Sequence, residues 1–140
     1  MKMGYYPGCS INGSSREYGE SLLAVLRALD VDLVEVEDWN CCGASAAHNL
    51  NHTLSLALPA RSLALAEQQG FKELLVPCAA CFSRLAATRK ALMTDDAKRR
   101  QIADLVELPM QDIPVSVNLL QLLQRVLPEN LKEKLTAPFN

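Results

Sequence analysis

The chain has 140 residues, a formal net charge of −2 and 49% hydrophobic residues, which predicts one ordinary folded domain with a buried core. It has no excess of basic residues that would attract the phosphates of a nucleic acid. Its 5% aromatic residues are too few to form a surface on which the bases of a single strand stack. No apolar run reaches the roughly 20 residues of a transmembrane helix, and Met1–Ser10 lacks the apolar stretch of a signal peptide. We therefore expect a soluble, cytoplasmic protein that binds no nucleic acid.

The first half of the chain predicts strands that alternate with helices. Met1–Tyr6 is a short apolar and aromatic segment before a Pro-Gly turn, as is typical of a strand. Apolar residues recur at helical spacing over about Ser15–Leu29, after residues typical of a turn and an N-cap. Alternating apolar and acidic residues predict a second strand over Asp32–Glu37. An Ala- and Leu-rich helix is predicted over about Leu50–Gln69, with Gly70 as its stop.

The second half continues the alternation of strands and helices. The predicted segments are the strand Glu73–Pro77, the helices Ala79–Leu92 and Asp95–Glu107, a short strand at Val115–Val117 and the helix Asn118–Val126. The order of elements predicts an α/β fold with a mainly parallel sheet flanked by helices. Residues from about 128 to 140 contain one more short helical turn and are otherwise typical of a linker. We therefore expect residues 1–140 to form one domain, and this domain to be half of a longer protein.

Five cysteines are the most informative feature of the composition. In a reducing cytosol they are metal ligands, catalytic groups or core residues more often than disulfides, and an odd number fits a disulfide framework badly. Each group follows a predicted strand, and in an open parallel sheet ligands bind outside the carboxyl ends of the strands. We therefore expect one site at this edge of the sheet, built by Cys9, Cys41, Cys42, Cys78 and Cys81.

The residues around these cysteines also favour a site for a charged group. Pro7 and Pro77 mark strand ends, and Gly8 and Gly43 allow close approach of the backbone or a positive φ. Helices that begin at this edge present N-termini that stabilise thiolates. Zinc and a cubane iron–sulfur cluster each take four ligands, so five cysteines exceed both. The adjacent pair Cys41-Cys42 suits a larger or irregular cluster, in which the two sulfurs bind different irons or one thiolate bridges two irons.

Three segments together resemble a known family. They are Pro7-Gly8-Cys9, Asp38-Trp39-Asn40-Cys41-Cys42-Gly43 and Pro77-Cys78-Ala79-Ala80-Cys81-Phe82. The pattern resembles the cysteine-rich CCG domain, and above all the first such domain in the B subunit of heterodisulfide reductase. Leu58–Glu67 is also similar to that family. The resemblance covers roughly residues 3 to 90.

The resemblance implies an oxidoreductase subunit that carries iron and sulfide. In that family each CCG domain binds a noncubane [4Fe-4S] cluster through five cysteines, and all five cysteines of this chain match those positions. The family subunit has two CCG domains, between which a small-molecule disulfide reacts, and electrons arrive from partner subunits with flavin and iron–sulfur groups. In methanogens the disulfide joins coenzyme M and coenzyme B. Related subunits serve quinone-linked or hydroxy-acid-oxidising complexes. This chain has no second CCG motif, so we expect it to be the N-terminal half of such a subunit and to be inactive alone.

Other interpretations of the same residues remain open. Four of the five cysteines could hold a structural zinc ion in a module that docks a partner, and zinc could replace the cluster. The spacing Cys78-x-x-Cys81 is also that of a thiol–disulfide protein. His48 and His52 have the spacing of some zinc ligands, but we expect them to be surface or capping residues. Trp39 is expected either to pack beside the cluster or to fill the core.

Overall fold

The computed structural model describes residues 1–43, 51–127, 131–135 and 137. Within these residues the strands are β1 (Lys2–Tyr5), β2 (Asp32–Glu35), β3 (Glu73–Leu75) and β4 (Val115–Val117). The helices of the same ranges are α1 (Arg16–Ala28), α2 (His52–Gln68), α3 (Ala79–Thr94), α4 (Asp96–Val106), α5 (Leu119–Val126) and α6 (Leu131–Lys134).

The strands form one sheet in the order β2-β1-β3-β4, and every pair is parallel. This confirms the predicted α/β class. The arrangement places β1 between β2 and β3, so the segments that follow these three strands leave neighbouring positions of one edge. Backbone pairing continues one residue past β1 and β2, with Tyr6 N–H donating to Leu75 O and Val36 N–H donating to Tyr5 O, both at 3.0 Å.

Helices cover both faces of the sheet. Leu22 and Leu26 of α1 and Leu122 of α5 pack on one face, in a core that includes Leu75. The helices α2, α3 and α4 pack on the other face, in a core that includes Leu74. Neighbouring residues of β3 thus serve opposite cores, as the alternation of side chains along a strand requires. A sheet buried on both faces explains why its short strands are mostly apolar.

The helix α2 corresponds to the helix predicted over about Leu50–Gln69. Asn51 caps its N-terminus, with Oδ1 accepting from the backbone N–H of Thr53 at 2.8 Å. At the other end Gly70 has a φ of +89°, and Phe71 N–H donates to Ala66 O at 3.0 Å. This C-terminal motif needs a left-handed residue, so the predicted stop at Gly70 is confirmed.

The expected N-cap of α1 differs from the structure, and the predicted linker lies only partly within the described residues. Ser15 precedes α1 but makes no capping bond with its side chain; its N–H donates to Ser10 O at 2.7 Å instead, so the backbone holds this turn. Of the predicted linker 128–140, the structure describes 131–135 and 137, and Leu131–Lys134 is one helical turn there. None of the helices within the described ranges combines the length and the apolar character that crossing a lipid bilayer requires.

Candidate metal centre

The predicted cysteines lie together at the carboxyl ends of β1, β2 and β3. We call this group, Cys9, Cys41, Cys42, Cys78 and Cys81, the cysteine site. All five lie within the described residues and carry thiols, with no disulfide among them. Contacts run from Cys9 to Cys41, and from Cys42 through Cys81 to Cys78. The parallel order β2-β1-β3 brings these sulfurs together, because it places the three segments after the strands side by side.

Cys42 and Cys81 form the inner part of the cysteine site. Their side chains are only 3% and 4% exposed, and the two Sγ atoms lie 3.5 Å apart. The hydrogen bond between them, together with burial, raises the pKa of Cys81 far above the usual thiol range. Two thiolates so close together repel each other in a poorly hydrated place. Ionising both sulfurs therefore requires a positive group beside them.

Cys9 and Cys41 form the exposed part of the cysteine site. Gly43 N–H donates to Cys41 Sγ at 3.3 Å, and this bond by itself lowers the pKa of the thiol. Partial burial and the nearby sulfurs of Cys42 and Cys9 act in the opposite direction, and together they raise the pKa of Cys41. The neighbouring sulfurs thus make the Cys41 thiol harder to ionise.

Cys78 differs from the other thiols because it precedes a helix. It occupies the N-cap position of α3. Partial burial acts to raise the pKa of Cys78, but the backbone N–H of Cys81 and the Ser10 hydroxyl stabilise the thiolate, and the net effect lowers the pKa. A helix N-terminus favours negative charge, so α3 supplies the support that the sequence predicted. The Cys78 thiol is therefore prepared to bind as an anion.

The backbone at Gly8 approaches the inner sulfurs closely. Gly8 has a φ of +75°, and a Cβ atom added there would lie 2.9 Å from Cys81 Sγ. Gly43 also has a positive φ, +73°. Both glycines therefore have the conformation that the sequence predicted, and at Gly8 a side chain would occupy space that belongs to the cysteine site.

Aromatic rings lie behind the cysteine site. The ring of Tyr6 packs edge-on against Trp39, with centroids 5.2 Å apart and an interplanar angle of 64°. Burial raises the pKa of Tyr6 strongly, and the neighbouring thiols, Cys42 first, raise it further. Trp39 is partly buried against the core that contains Cys42 and Cys81. Trp39 therefore packs against the core, as one of the two expectations stated, and this part of the core also contains two of the cysteines.

Of the two histidines, only His52 lies within the described residues. His52 is an exposed residue at the first position of α2, whereas Asn51 provides the cap, so His52 is a surface residue. His48 lies outside the described residues.

The donor chemistry of the cysteine site suits a soft, positively charged inorganic group. Thiolates select zinc, copper(I) or iron–sulfur clusters. Among the described residues, no three histidine, cysteine, aspartate or glutamate side chains are arranged as a ready-made site for a single ion. The five sulfurs instead spread from a buried pair to an exposed pair, with Cys78 at a helix N-terminus.

Sequence reasoning missed a set of polar contacts behind the Cys41-Cys42 pair. Asn40 is the centre of these contacts, and Arg61 and Ser62 of α2 bind its side chain. One signal was present, since an amide residue stands directly before the cysteine pair. The partners could not be found from spacing, because they lie 21 and 22 residues away along the chain.

Comparison with known proteins gives two relatives. The chain is 32% identical over 139 residues to the 8-methylmenaquinol:fumarate reductase membrane anchor subunit of Wolinella succinogenes. This alignment covers 97% of this chain and 48% of that protein. Over 107 residues the chain is 24% identical to a protein of Archaeoglobus profundus that is named as similar to the B subunit of heterodisulfide reductase, covering 76% of this chain and 36% of that protein. The chain thus spans about half, or less, of the length of these curated relatives.

A family comparison agrees with the resemblance found in the sequence. Residues 3–86 match the family model of the CCG cysteine-rich domain. The matched segment contains all of β1 except Lys2, all of β2 and β3, and every cysteine of the cysteine site. The chain therefore belongs to the CCG cysteine-rich domain family.

Proposed function

We propose that this chain is the iron–sulfur-binding part of an oxidoreductase subunit, and that the five cysteines of the cysteine site hold one noncubane [4Fe-4S] cluster. One observation carries the proposal: five thiols from the three segments that follow β1, β2 and β3 gather at the carboxyl ends of these adjacent parallel strands. Membership of the CCG family and relatives named as oxidoreductase subunits support it.

The protein groups have distinct tasks in this proposal. Cys42 and Cys81 hold the buried side of the group, and Cys9 and Cys41 hold the side that faces solvent. Cys78 binds readily as a thiolate, because α3 stabilises its charge. The aromatic pair Tyr6 and Trp39 reduces access of water from behind. When bound, the cluster supplies one-electron transfer.

For the reaction we propose reduction of a small disulfide. Cleavage of its S–S bond takes two electrons and two protons and gives two thiols. The electrons come one at a time from a partner subunit that carries flavin and iron–sulfur groups. A second CCG domain supplies the other half of the reaction site, so this domain alone is inactive. The chain covers less than half of either relative's length, which agrees with such a division.

A quinol-linked function is the second candidate. The observation in its favour is the identity of 32% over 97% of this chain with a subunit named for menaquinol and fumarate. In this case the electrons pass between a quinol pool and the cluster, and the disulfide has no role. That relative is named a membrane anchor, so a cytoplasmic location of this chain stays a prediction.

Anaerobic reconstitution with iron and sulfide tests the cluster itself. We expect a brown protein with about four irons per chain. Substituting Cys42→Ser should abolish or alter the visible spectrum, whereas His52→Ala should leave it intact. A colourless, iron-free product would contradict the proposal. One zinc per chain without visible absorption would favour the structural zinc module instead.

Equilibrium titration of the loaded protein separates the two substrates. A small thiol, the product of disulfide cleavage, should perturb the visible and paramagnetic spectra if the disulfide assignment is right. A short-chain menaquinone analogue should perturb them if the quinol assignment is right. If neither compound changes the spectra, both substrate assignments are wrong for this part of the subunit.

A further inference from the structure

We infer that Asn40, held by Arg61 and Ser62 of α2, is a positioning residue that sets the directions of the Cys41 and Cys42 sulfurs. The ligand role of these cysteines rests on the proposed function above. The geometry of the contacts does not depend on it.

The side chain of Asn40 is fully engaged. Its Nδ2 donates to Cys41 O at 2.9 Å and to Leu58 O of α2 at 2.8 Å. Its Oδ1 accepts from Arg61 at 3.0 Å and lies 3.2 Å from the Ser62 hydroxyl. An amide group offers two donors and one acceptor oxygen, so each of its polar atoms has a partner.

The backbone of Asn40 is held as well. Its N–H donates to Ser62 Oγ at 3.1 Å, and its carbonyl accepts from the Tyr6 hydroxyl at 2.7 Å. The Ser62 hydroxyl lies 3.2 Å from this carbonyl too, so it can donate to either oxygen of Asn40. Ser62 is completely buried, and these bonds satisfy it. Asn40 is thus fixed between α2 and the end of β1.

Arg61 also holds the turn that leads into Asn40. Its guanidinium donates to Asp38 O at 2.8 Å and to Asp38 Oδ2 at 2.6 Å. Asp38 has a φ of +61°, a left-handed conformation that aspartate tolerates better than most residues but that still costs free energy. The planar donors of arginine hold both ends of this turn, which a lysine ammonium could not do in the same geometry.

These contacts matter because the two cysteines are neighbours in sequence. Cys41 is exposed, while Cys42 is buried with its sulfur 3.5 Å from Cys81 Sγ. The peptide unit between Cys41 and Cys42 decides where the two side chains point, and its oxygen is the Cys41 carbonyl. The bond from Asn40 Nδ2 to that oxygen therefore fixes the orientation of this peptide plane.

The substitution Asn40→Asp tests the inference with almost no change in shape. It keeps an oxygen for Arg61 and Ser62, but replaces the Nδ2 donor by a second oxygen that faces the carbonyls of Cys41 and Leu58. We expect iron affinity to fall about 10- to 100-fold, as for other residues that orient a metal ligand. In the cluster-free chain, we expect alkylation of Cys42 to become as fast as that of Cys41.

A second comparison separates positioning from charge. Arg61→Lys keeps the positive charge and Arg61→Gln removes it. If Arg61 acts by holding the turn, both variants should lose affinity to a similar extent and expose Cys42. The control is Arg16→Gln, which removes a guanidinium from an exposed ion pair with Glu20 at 2.9 Å and should change neither measurement.

Each outcome bears on one claim. Mass spectrometry identifies the alkylated cysteine. If wild type takes up iron, and Asn40→Asp has the same iron affinity and the same rate of Cys42 alkylation as wild type, the inference is wrong and the proposed function stands. If wild type takes up no iron, the proposed function fails, and alkylation still decides the inference. If Asn40→Asp fails to fold by circular dichroism, Arg61→Gln decides it by the same two measurements. Retention of iron affinity by Arg61→Lys alone would overturn the positioning role of Arg61.

Discussion

At the scale of single residues, identical thiols differ because their surroundings differ. The pKa of Cys78 is lowered by backbone N–H groups at the start of α3, although partial burial opposes this. The pKa of Cys81 is raised by its hydrogen bond with Cys42 and by burial. Because a metal group binds thiolates, its binding must displace protons from the thiols whose pKa is raised, Cys41 and Cys81 among them. Gly8 shows how a single residue supports this arrangement.

Substituting Gly8→Ala should disturb the inner thiols. The backbone there has a positive φ, and the added Cβ would lie 2.9 Å from Cys81 Sγ. The matched control is Gly70→Ala, because Gly70 has a φ of +89° and no atom within 4 Å of its added Cβ. We expect Gly70→Ala to cost about 1–2 kcal/mol of unfolding free energy from backbone strain alone. Gly8→Ala should cost more in urea denaturation and speed the alkylation of Cys81; equal costs would show that the contact with Cys81 is unimportant.

Substituting Tyr5→Phe should stabilise the protein. The Tyr5 hydroxyl is buried and has no hydrogen-bond partner among the described residues. A buried hydroxyl without a partner costs about 1–3 kcal/mol, so removing it should raise the free energy of unfolding at neutral pH by about 1 kcal/mol. Thermal and urea unfolding would measure this. A clear loss of stability would show that the hydroxyl makes a stabilising hydrogen bond in the folded protein.

The same residue predicts a dependence on alkaline pH. Burial, with help from Glu35 and Tyr18, raises the pKa of Tyr5 to about 12 from 10.0. Above pH 10 the unfolded chain releases this proton first, so the native state holds more protons and stability falls as the pH rises towards 12. Unfolding of wild type and of Tyr5→Phe at several pH values should show a smaller loss for Tyr5→Phe in this window. Parallel losses would contradict the assignment.

At the scale of elements, the helix α2 contributes both to the core and to the contacts behind the cysteine site. Its residues hold Asn40 and pack the core between the sheet and α3. It also contains Pro59, which has no N–H for the carbonyl four residues earlier, that of Ser55. Arg84 of α3 donates to this Ser55 oxygen at 3.4 Å, so a neighbouring helix replaces part of the missing bond.

A double-mutant cycle tests this replacement. Arg84→Met should lower the unfolding free energy by about 1 kcal/mol, because it leaves the carbonyl of Ser55 without its donor. In a Pro59→Ala background the helix regains its own N–H donor, and the cost of Arg84→Met should shrink. Urea denaturation of the four proteins measures the coupling. Additive effects would show that Arg84 contributes through packing alone.

At the scale of the whole molecule, the cysteine site joins three of the four strands of the described sheet. The segments after β1, β2 and β3 meet there, while β4 is an edge strand and α5 packs with α1 on the face of the sheet opposite to α2 and α3. A group bound across these loops should tie them together, because binding to the native state stabilises it.

Removal of the metal should therefore act locally. Comparing the loaded protein with the chelator-stripped protein by hydrogen exchange, we expect faster exchange around Cys9, Cys41 and Cys78 after stripping, and unchanged exchange in α5. The melting temperature should fall in parallel. Uniform acceleration through the chain would instead indicate that the fold as a whole depends on the metal.

The order of elements and the α/β class were predictable because local rules produce them. Hydrophobic periodicity, a glycine stop at Gly70 and prolines after strands act within a few residues. The position of the cysteines after successive strands was also predictable, since parallel topology carries all carboxyl ends to one edge. The strand order β2-β1-β3-β4 then makes those loops neighbours.

The sequence by itself determined which residues build the cysteine site, and only the tertiary structure decided how they differ. Burial of Cys42 against Cys81 joins residues 39 positions apart, and the bond from Tyr6 to Asn40 joins residues 34 positions apart. No local pattern encodes such pairs. Burial, charge and hydrogen bonding depend on which distant segments pack together, and packing is a property of the folded chain as a whole.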